Sequence, residues 1–497
     1  MGKKTEGGDD DARLIRGAER GSQPVPLENV AIRRELAHFV AMAHRFFAIL
    51  AAVTILAPFI LGAGEHPRPN ILFLLADDLR PDFAGVTTPH LDALAARGVT
   101  ITRATCSYPI CVVSRAEILS GRHAWDRSPA LPLWTETLKQ AGYHTWHVGK
   151  WHLGGTPARR GFTDVAGHFT GGGSEFVKPG QRDWEGFPVT GYRGWIFQSG
   201  DGAKEFPELG VGLTPNISAK FADSTISLIE RKLDAPWFCQ VDFTAPHDPL
   251  FVPPGMEGRF QPEDRILPAN FLPEHPFDHG NFAGRDEVLM DWPRTGEAVR
   301  RLLAVYSAVI TDLDAQIGRV LAALEKSGQK DNTLVIFSSD HGLACGSHGL
   351  RGKQNQYEHT IGVPLVIAGP GVPGGMKSDA QVYLRELYPT VCELAGVTVP
   401  DALKAGSFAK AVRGEIKAHH DAVFGYFTDS QRMIRTADGW KLIRYPRADR
   451  WQLFDLNRDP FERTDLSADP ASRERFEALR AQLADWRKSQ GDPLTEE

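Results

Sequence analysis

The chain is 497 residues long, enough for one large domain with a smaller companion, or for two to three domains. Its 42% hydrophobic and 24% charged residues are ordinary globular material, which excludes a disordered or fibrous chain. Against 56 basic residues stand 62 acidic ones, a net charge of −6 with no basic patch to mark a nucleic-acid partner.

Residues 1–41 are polar and charged without periodicity, and are set apart from the fold as an extension ahead of the true start at Met42. Met42-Ala43-His44-Arg45 then forms a short basic lead, Phe46–Leu61 an apolar run, and Gly62-Ala63-Gly64 the small residues of a cleavage site. This predicts a signal peptide over 42–64, hence an exported, periplasmic or extracellular protein with no stable membrane span after cleavage. The alternative is a membrane anchor, since Phe46–Gly64 carries no charge. Pro58 and the small residues favour the leader. Cys106, Cys111, Cys239, Cys345 and Cys392 are too few and too scattered for a disulfide framework.

Beyond the leader the rhythm is strand, loop, helix. Asn70–Ala76 is a short continuous apolar run, the mark of a strand buried on both faces, and Pro89–Arg97 reads as a helix. Cys111 to Arg115 reads Cys-Val-Val-Ser-Arg and leads into a helix-like run through Gly121. Residues 156–215, with Gly171-Gly172-Gly173 and the aromatics Trp184, Tyr192 and Trp195, read as a loop that shapes access at a rim. Trp237–Phe243, Thr333–Phe337 and Val363–Ala368 repeat the buried-strand pattern. Between them, Glu297–Lys326 carries Leu302, Tyr306, Val309, Leu313, Ile317, Val320 and Leu324 on one helical stripe. The alternation predicts an α/β domain over 65–415, a mostly parallel central sheet with helices on both faces. Over 416–497, short alternating strands around Asp438-Gly439 and a helix from about 470 to 489 predict a small C-terminal antiparallel sheet with its helix.

Ligands in such sheets bind beyond the carboxyl ends of the strands. One strand there delivers Asp77-Asp78, another His247-Asp248 and a third Asp340-His341. Adjacent buried carboxylates repel unless a cation lies between them, and a hard divalent ion with oxygen ligands, such as calcium, resolves that repulsion. A lone Asp-Asp pair would read as a cap or a solvated turn; carboxylates at the ends of separate buried strands point to a metal.

With these residues assembled, the chain resembles the formylglycine-dependent sulfatases (type I) of the alkaline-phosphatase-like superfamily, from about Pro69 to the C-terminus. Pro69–Asp78 matches the family's opening strand, Thr88–Gly98 the helix that follows, and Cys111–Arg115 the nucleophile motif. Gly142–His152 fits the second signature, Gly352-Lys353 with Tyr357-Glu358 the late lysine segment, and Leu453–Glu462 the C-terminal pattern. Val113 stands where the family usually has proline, Val112 and Ser120 also depart, and His341 stands where many members carry asparagine.

The resemblance implies hydrolysis of a sulfate ester, expected on a carbohydrate, with one calcium ion and a formylglycine nucleophile. A formylglycine-generating or other sulfatase-maturing enzyme would make that group from Cys111. Asp77, Asp78, Asp340 and His341 would surround the calcium, with the modified Cys111 as a further ligand. Imidazole is a poorer partner for calcium than oxygen, so His341 is expected at the margin of the shell or against the sulfate. Lys150 and Lys353 would hold sulfate oxygens, Arg115 would brace the nucleophile, and His152 and His247 would support the diol and protonate the leaving alcohol. His348 and His359 read as structural. Two alternatives stay open: a phosphodiester or phosphonate hydrolase of the same superfamily, and an unmatured, inactive homologue that binds sulfated glycans. The intact set of Lys150, His152, His247 and Lys353 disfavours the latter.

Overall fold

The computed structural model describes residues 68–494 apart from Arg127, Pro129, Phe187 and Pro493. The leader expected over 42–64 and the extension before it lie outside the described residues, among which no helix is long and apolar enough to cross a membrane.

Strand β1 (Asn70–Ala76) is apolar from Ile71 onward because both of its faces are covered. Leu72 and Leu74 enter one core, whereas Ile71, Phe73 and Leu75 enter the other, as the two-residue period of a strand requires. Around it are β2 (Gly98–Thr105), β3 (His144–Lys150), β4 (Asp164–Gly171), β5 (Trp195–Gln198) and β6 (Glu205–Val211). The sheet also takes in β7 (Trp237–Asp242), β8 (Thr333–Ser339), β9 (Gly362–Val363), β10 (Leu365–Ala368) and β11 (Met376–Tyr383).

The order β8-β1-β7-β3-β4 is parallel throughout, so these strands deliver their carboxyl ends to one edge. Antiparallel β10, followed by β2 and β11, extends one side, and antiparallel β5 and β6 extend the other. This is the expected mostly parallel sheet with helices on both faces. One face packs on α4 (Ile217–Ile229) and α5 (Gly296–Lys326), the other on α2 (Cys111–Ser120), α3 (Trp134–Gln140) and α6 (Leu387–Leu394). Helix α1 (Pro89–Ala96) begins on its proline, whose missing N–H costs nothing at that position, and sends Leu91 and Leu94 into the first core.

Two expectations are corrected. The strand expected over Val363–Ala368 is split at Pro364, which has no N–H to give to a ladder, and its second half runs antiparallel. The segment 156–215 is not a loop throughout: it contains β4, β5 and β6, whose half-buried, glycine-broken residues hide their strand character.

The C-terminal strands β12 (Ala422–Phe427), β13 (Gln431–Thr436), β14 (Trp440–Tyr445) and β15 (Arg450–Asp455) form a separate antiparallel meander. Phe476, Leu479 and Leu483 of α7 (Arg473–Gln490) pack on Ile434, Leu442 and Leu453 of one face. The opposite face sets Met433, Ile443 and Phe454 against Tyr357 and Ile361, and both sheets belong to one compact unit.

Glu358 fastens that contact by accepting from Arg435 Nη1 (2.5 Å) and Lys441 Nζ (2.9 Å) of the small sheet. Burial alone would raise its carboxyl, but Arg435 and Lys441 outweigh burial and bring it down from 4.5 to about 2. A depressed carboxylate stabilises fully above its ordinary value and loses that contribution as pH falls through the folded value. Urea midpoints measured from pH 6 to pH 2 should therefore show Glu358→Gln less stable than the wild type, by a margin that shrinks toward pH 2. A margin independent of pH would exclude this role for the ion pair.

Candidate active site

Helix α2 opens on Cys111; the aliphatic Ile110 ahead of it offers no side-chain acceptor, and its carbonyl takes the N–H groups of Val113 and Ser114, which leaves those of Cys111 and Val112 for an anion. Helical spacing turns Cys111, Ser114 and Arg115 to one buried face, while Val112 is 37% exposed and Val113 half-buried. Gly121 ends the helix in the left-handed region, its N–H bonded to Glu117 O at 2.8 Å.

Arg115 joins the ends of three strands. Its Nε donates to Asp340 Oδ2 (3.0 Å), its Nη1 donates to Asp242 Oδ1 (2.8 Å), and its Nη2 lies 3.8 Å from Asp77 Oδ1. Ser114 Oγ adds a bond to Asp340 O (2.8 Å). Lys150, at the end of β3, donates to Asp77 Oδ2 (2.5 Å), and Lys353 donates to both oxygens of Asp78 (2.9 and 3.0 Å). Lys150 is carried there by Gly149, at φ +95°, where a Cβ would stand 2.1 Å from Asp242 O. Asp78 itself holds φ at +68°, and Tyr306 of α5 braces that turn by donating to Asp78 O (2.6 Å) while accepting from Arg80 N (3.1 Å).

Asp77, Asp78, Cys111 and His341 bring one ligand atom each within 4.8 Å of one another, all four residues buried. The Cys111 thiol donates to Asp77 Oδ1 (3.3 Å). His341 Nδ1 lies 3.2 Å from Asp78 Oδ1, and its Nε2 is buried with no hydrogen-bond partner among the described residues. Asp340 stands beside this group with both oxygens engaged: Oδ2 with Arg115, and Oδ1 with the backbone N–H groups of Asp78 (3.3 Å) and His341 (3.0 Å).

The electrostatics reveal a shortage of positive charge. Burial pushes the Asp78 carboxyl well above the usual carboxylate range despite Lys353 and His341. At Asp77 the same burial is overcome by Lys150 with help from Arg115, which together hold it well below that range. Burial would depress His341, yet Asp340, the Cys111 sulfur and Asp78 push it up to about 9. Asp78 and His341 are thus both shifted toward their protonated forms, and His341 Nε2 stands 3.7 Å from Asp340 Oδ1 without a hydrogen bond. The donor set fits a divalent ion.

Above this floor opens a pocket of about 250 Å³ lined by Cys111, His152, Tyr192, Trp195, His247, Arg285 and Lys353 among others. His247 Nε2 lies 2.8 Å from Lys353 Nζ, which donates to it, and His247 Nδ1 faces Asp248 O. Burial and Lys353 depress His247 well below its usual value, and burial with Lys150 brings His152 down to about 3, so both imidazoles are neutral at pH 7.

The structure therefore gathers every residue singled out from the sequence into one site, and adds others. Asp242 holds both Arg115 and His147 Nε2 (2.9 Å), and Tyr192 donates its hydroxyl to Asp77. Arg285, 36% exposed, pairs with Asp248 and Asp286 at the pocket mouth. A charged residue closing the apolar run Trp237–Phe243 was the signal for Asp242; nothing local marked Tyr192 or Arg285.

Comparison with known proteins matches the stretch of chain that carries these residues. Residues 69–397 match the sulfatase family model, and residues 346–489 match that of the C-terminal part of N-sulphoglucosamine sulphohydrolase. An arylsulfatase of Clostridium perfringens is 28% identical over 83% of this chain and 93% of its own. A solved structure of a protein in complex with D-glucosamine-2-N,6-O-disulfate superposes with TM-score 0.69 at 22% identity, covering 86% of this chain and 100% of the other. The phosphonate monoester hydrolase of Agrobacterium radiobacter gives TM-score 0.69 at 23% identity, covering 85% and 96%. Both show the fold.

Because Arg115 compensates buried carboxylates from three strands, Arg115→Met should cost roughly 3–5 kcal/mol in urea unfolding, the scale of an uncompensated buried charge. Arg115→Lys, which lacks the guanidinium fork, should recover only part of it. A loss below about 1 kcal/mol for both, the scale of an exposed pair, would refute this bracing role.

Proposed function

The chain belongs to the sulfatase family of sulfuric ester hydrolases, and we propose that it cleaves a sulfate ester on a carbohydrate with a formylglycine nucleophile derived from Cys111 and one calcium ion. The observation that carries this reading is the buried nest itself: the Cys111 side chain opens the floor of the pocket among Asp77, Asp78 and His341, with Lys150 and Lys353 on either side.

The Cys111 sulfur occupies the place of a hydrated aldehyde, whose oxygens would turn the donor set from a mixed thiol cluster into one suited to a hard ion. Asp77, Asp78 and the modified Cys111 would hold the calcium, Asp340 and His341 completing its surroundings; when bound, calcium supplies charge neutralisation at the transferring sulfuryl group. When formed, the hydrate supplies an oxygen nucleophile and an exit that restores the aldehyde. Lys150 and Lys353 leave their aspartates to meet sulfate oxygens, and Arg115 keeps the α2 N-terminus aimed at the sulfur atom. His247 is neutral in the substrate-free site and touches the Lys353 ammonium. The negative charge of an arriving ester favours a proton at His247 Nε2, from which the leaving alcohol oxygen is protonated. His152, neutral beside Trp195, supports the hydrate by hydrogen bonding.

The C-terminal match to an N-sulphoglucosamine sulphohydrolase and the neighbour bound to a disulfated glucosamine support a sugar substrate. Half-buried Trp195 in the pocket wall offers a face for a sugar ring. Export through the 42–64 leader and conversion of Cys111 by a maturing enzyme belong to the same proposal.

Mass spectrometry of the Cys111 peptide, from protein made in its own host, should show the aldehyde in place of the thiol. The same preparation should hydrolyse sulfate esters faster than phosphonate or phosphate esters. Cys111→Ala should abolish turnover, and Lys150→Ala should lower kcat by about 10²–10³-fold, the scale of losing one transition-state donor. Full retention of the thiol in active protein would sink formylglycine catalysis, and a preference for phosphonates would move the chain to the other branch of its superfamily.

A further inference from the structure

Far along the chain from the active-site motifs, one residue closes a short turn ahead of α6. Glu386 ends the 3-10 turn Leu384–Glu386, and its Oε2 accepts from the backbone N–H of Tyr383 (2.9 Å). Two consecutive histidines from the segment leading into β12 meet the same carboxylate. His420 Nε2 lies 2.6 Å from Oε1, and His419 Nε2 lies 3.5 Å from Oε2. Their rings are 4.3 Å apart, tilted by 59°.

Exposure sorts the three. The Glu386 side chain is 8% exposed, that of His419 9%, and that of His420 27%. His419 Nε2 is buried without a hydrogen-bond partner among the described residues, although it points at the carboxylate. A buried ring nitrogen whose one acceptor stands this far off is under-satisfied, and nothing in the catalytic reading uses it. The other buried His/Glu group outside the active site, His348, His359 and Glu462, already has a cation: Lys441 Nζ stands 2.6 Å from Glu462 Oε1.

We propose that Glu386, His419 and His420 form a second metal site, which takes one divalent ion of the zinc class through two imidazoles and a carboxylate. Nitrogen donors exclude calcium as the preferred ion, so this site and the oxygen-rich floor of the active site select different metals. One ligand atom from each of the three side chains lies within 4.8 Å of the others, close enough for small side-chain rotations to set each about 2 Å from a common centre. Solvent completes the shell on the His420 side. Binding displaces the Nε2 proton that His420 directs at Glu386, and satisfies His419 Nε2. The ion then acts as a clasp, tying the turn before α6 to the segment that enters the C-terminal sheet. The inference stands independently of the reading of Cys111.

Protein stripped with a chelator and given back calcium should retain about one equivalent of added Zn2+, and its thermal midpoint should rise with Zn2+ concentration. His419→Gln and His420→Gln, each folded by circular dichroism and unchanged in sulfate-ester hydrolysis, should bind Zn2+ at least tenfold more weakly and lose the thermal shift. Asp78→Asn, altered only in the active site, should keep both. Zn2+ uptake and thermal shift that are the same in wild type and both histidine variants, or absent from all three, would overturn the proposal. Loss of them in Asp78→Asn alone would assign the zinc to the active site, and overturn it equally.

Discussion

Everything at the carboxyl edge of the sheet depends on how Arg115 lets several carboxylates share one dry floor. Asp77, Asp78, Asp242 and Asp340 are all at most 2% exposed, and they come from three different strands. Their mutual repulsion in a low-dielectric interior would splay the strand ends apart. One planar guanidinium reaches three of them at once, from the helix that also carries Cys111. The position of Cys111 and the stability of the edge are therefore one problem with one solution.

The solution is left deliberately short by one charge. Arg115, Lys150 and Lys353 face four carboxylates, and the deficit shows in the Asp78 carboxyl, pushed up by burial, and in His341, pushed up to about 9 by the acidic groups around it. A site fully neutralised by its own side chains would have nothing to offer a cation. Around it the fold spends rigid contacts on orientation: Tyr306 fixes the strained turn at Asp78, His147 and Gln240 pin Asp242, and Tyr192 reaches Asp77 from the far extension of the sheet. Pre-set partners of this kind reduce the reorganisation needed when charge develops on a substrate.

Legibility in the sequence followed the same division. Residues that end buried strands, such as Asp77, Asp78, Asp340 and His341, announce themselves together, because one such pair reads as a cap or a turn but carboxylates recurring at the ends of separate apolar runs do not. The long stripe of α5 was equally plain, since thirty residues of period give a strong signal. The strand at Val363–Ala368 was misjudged because composition reports burial but not direction, and Pro364 interrupts the ladder without interrupting the apolar run. Residues β4 to β6 hid behind glycines and half-exposed positions. Tyr192 lay beyond reach for a different reason: it precedes β5 in a turn, and its contact with Asp77 spans 115 positions.

The C-terminal sheet completes the argument about the helix. Glu117, two residues beyond Arg115 on α2, accepts from Ser107 Oγ and Tyr426 Oη, and Tyr426 belongs to β12. The Tyr426 N–H in turn donates to Ser107 O (2.9 Å). Helix α2 is thus held from two sides, by the charged floor through Arg115 and by the small sheet through Glu117. A side chain at a helix N-terminus is only as well aimed as the helix is still, and a single buried anchor would leave it free to pivot. Placing the second anchor on the small sheet makes that sheet part of the active site's framework. Val112 and Val113, on the outer face of the same helix, take no part in either anchor. Their departure from the usual motif therefore leaves both anchors in place.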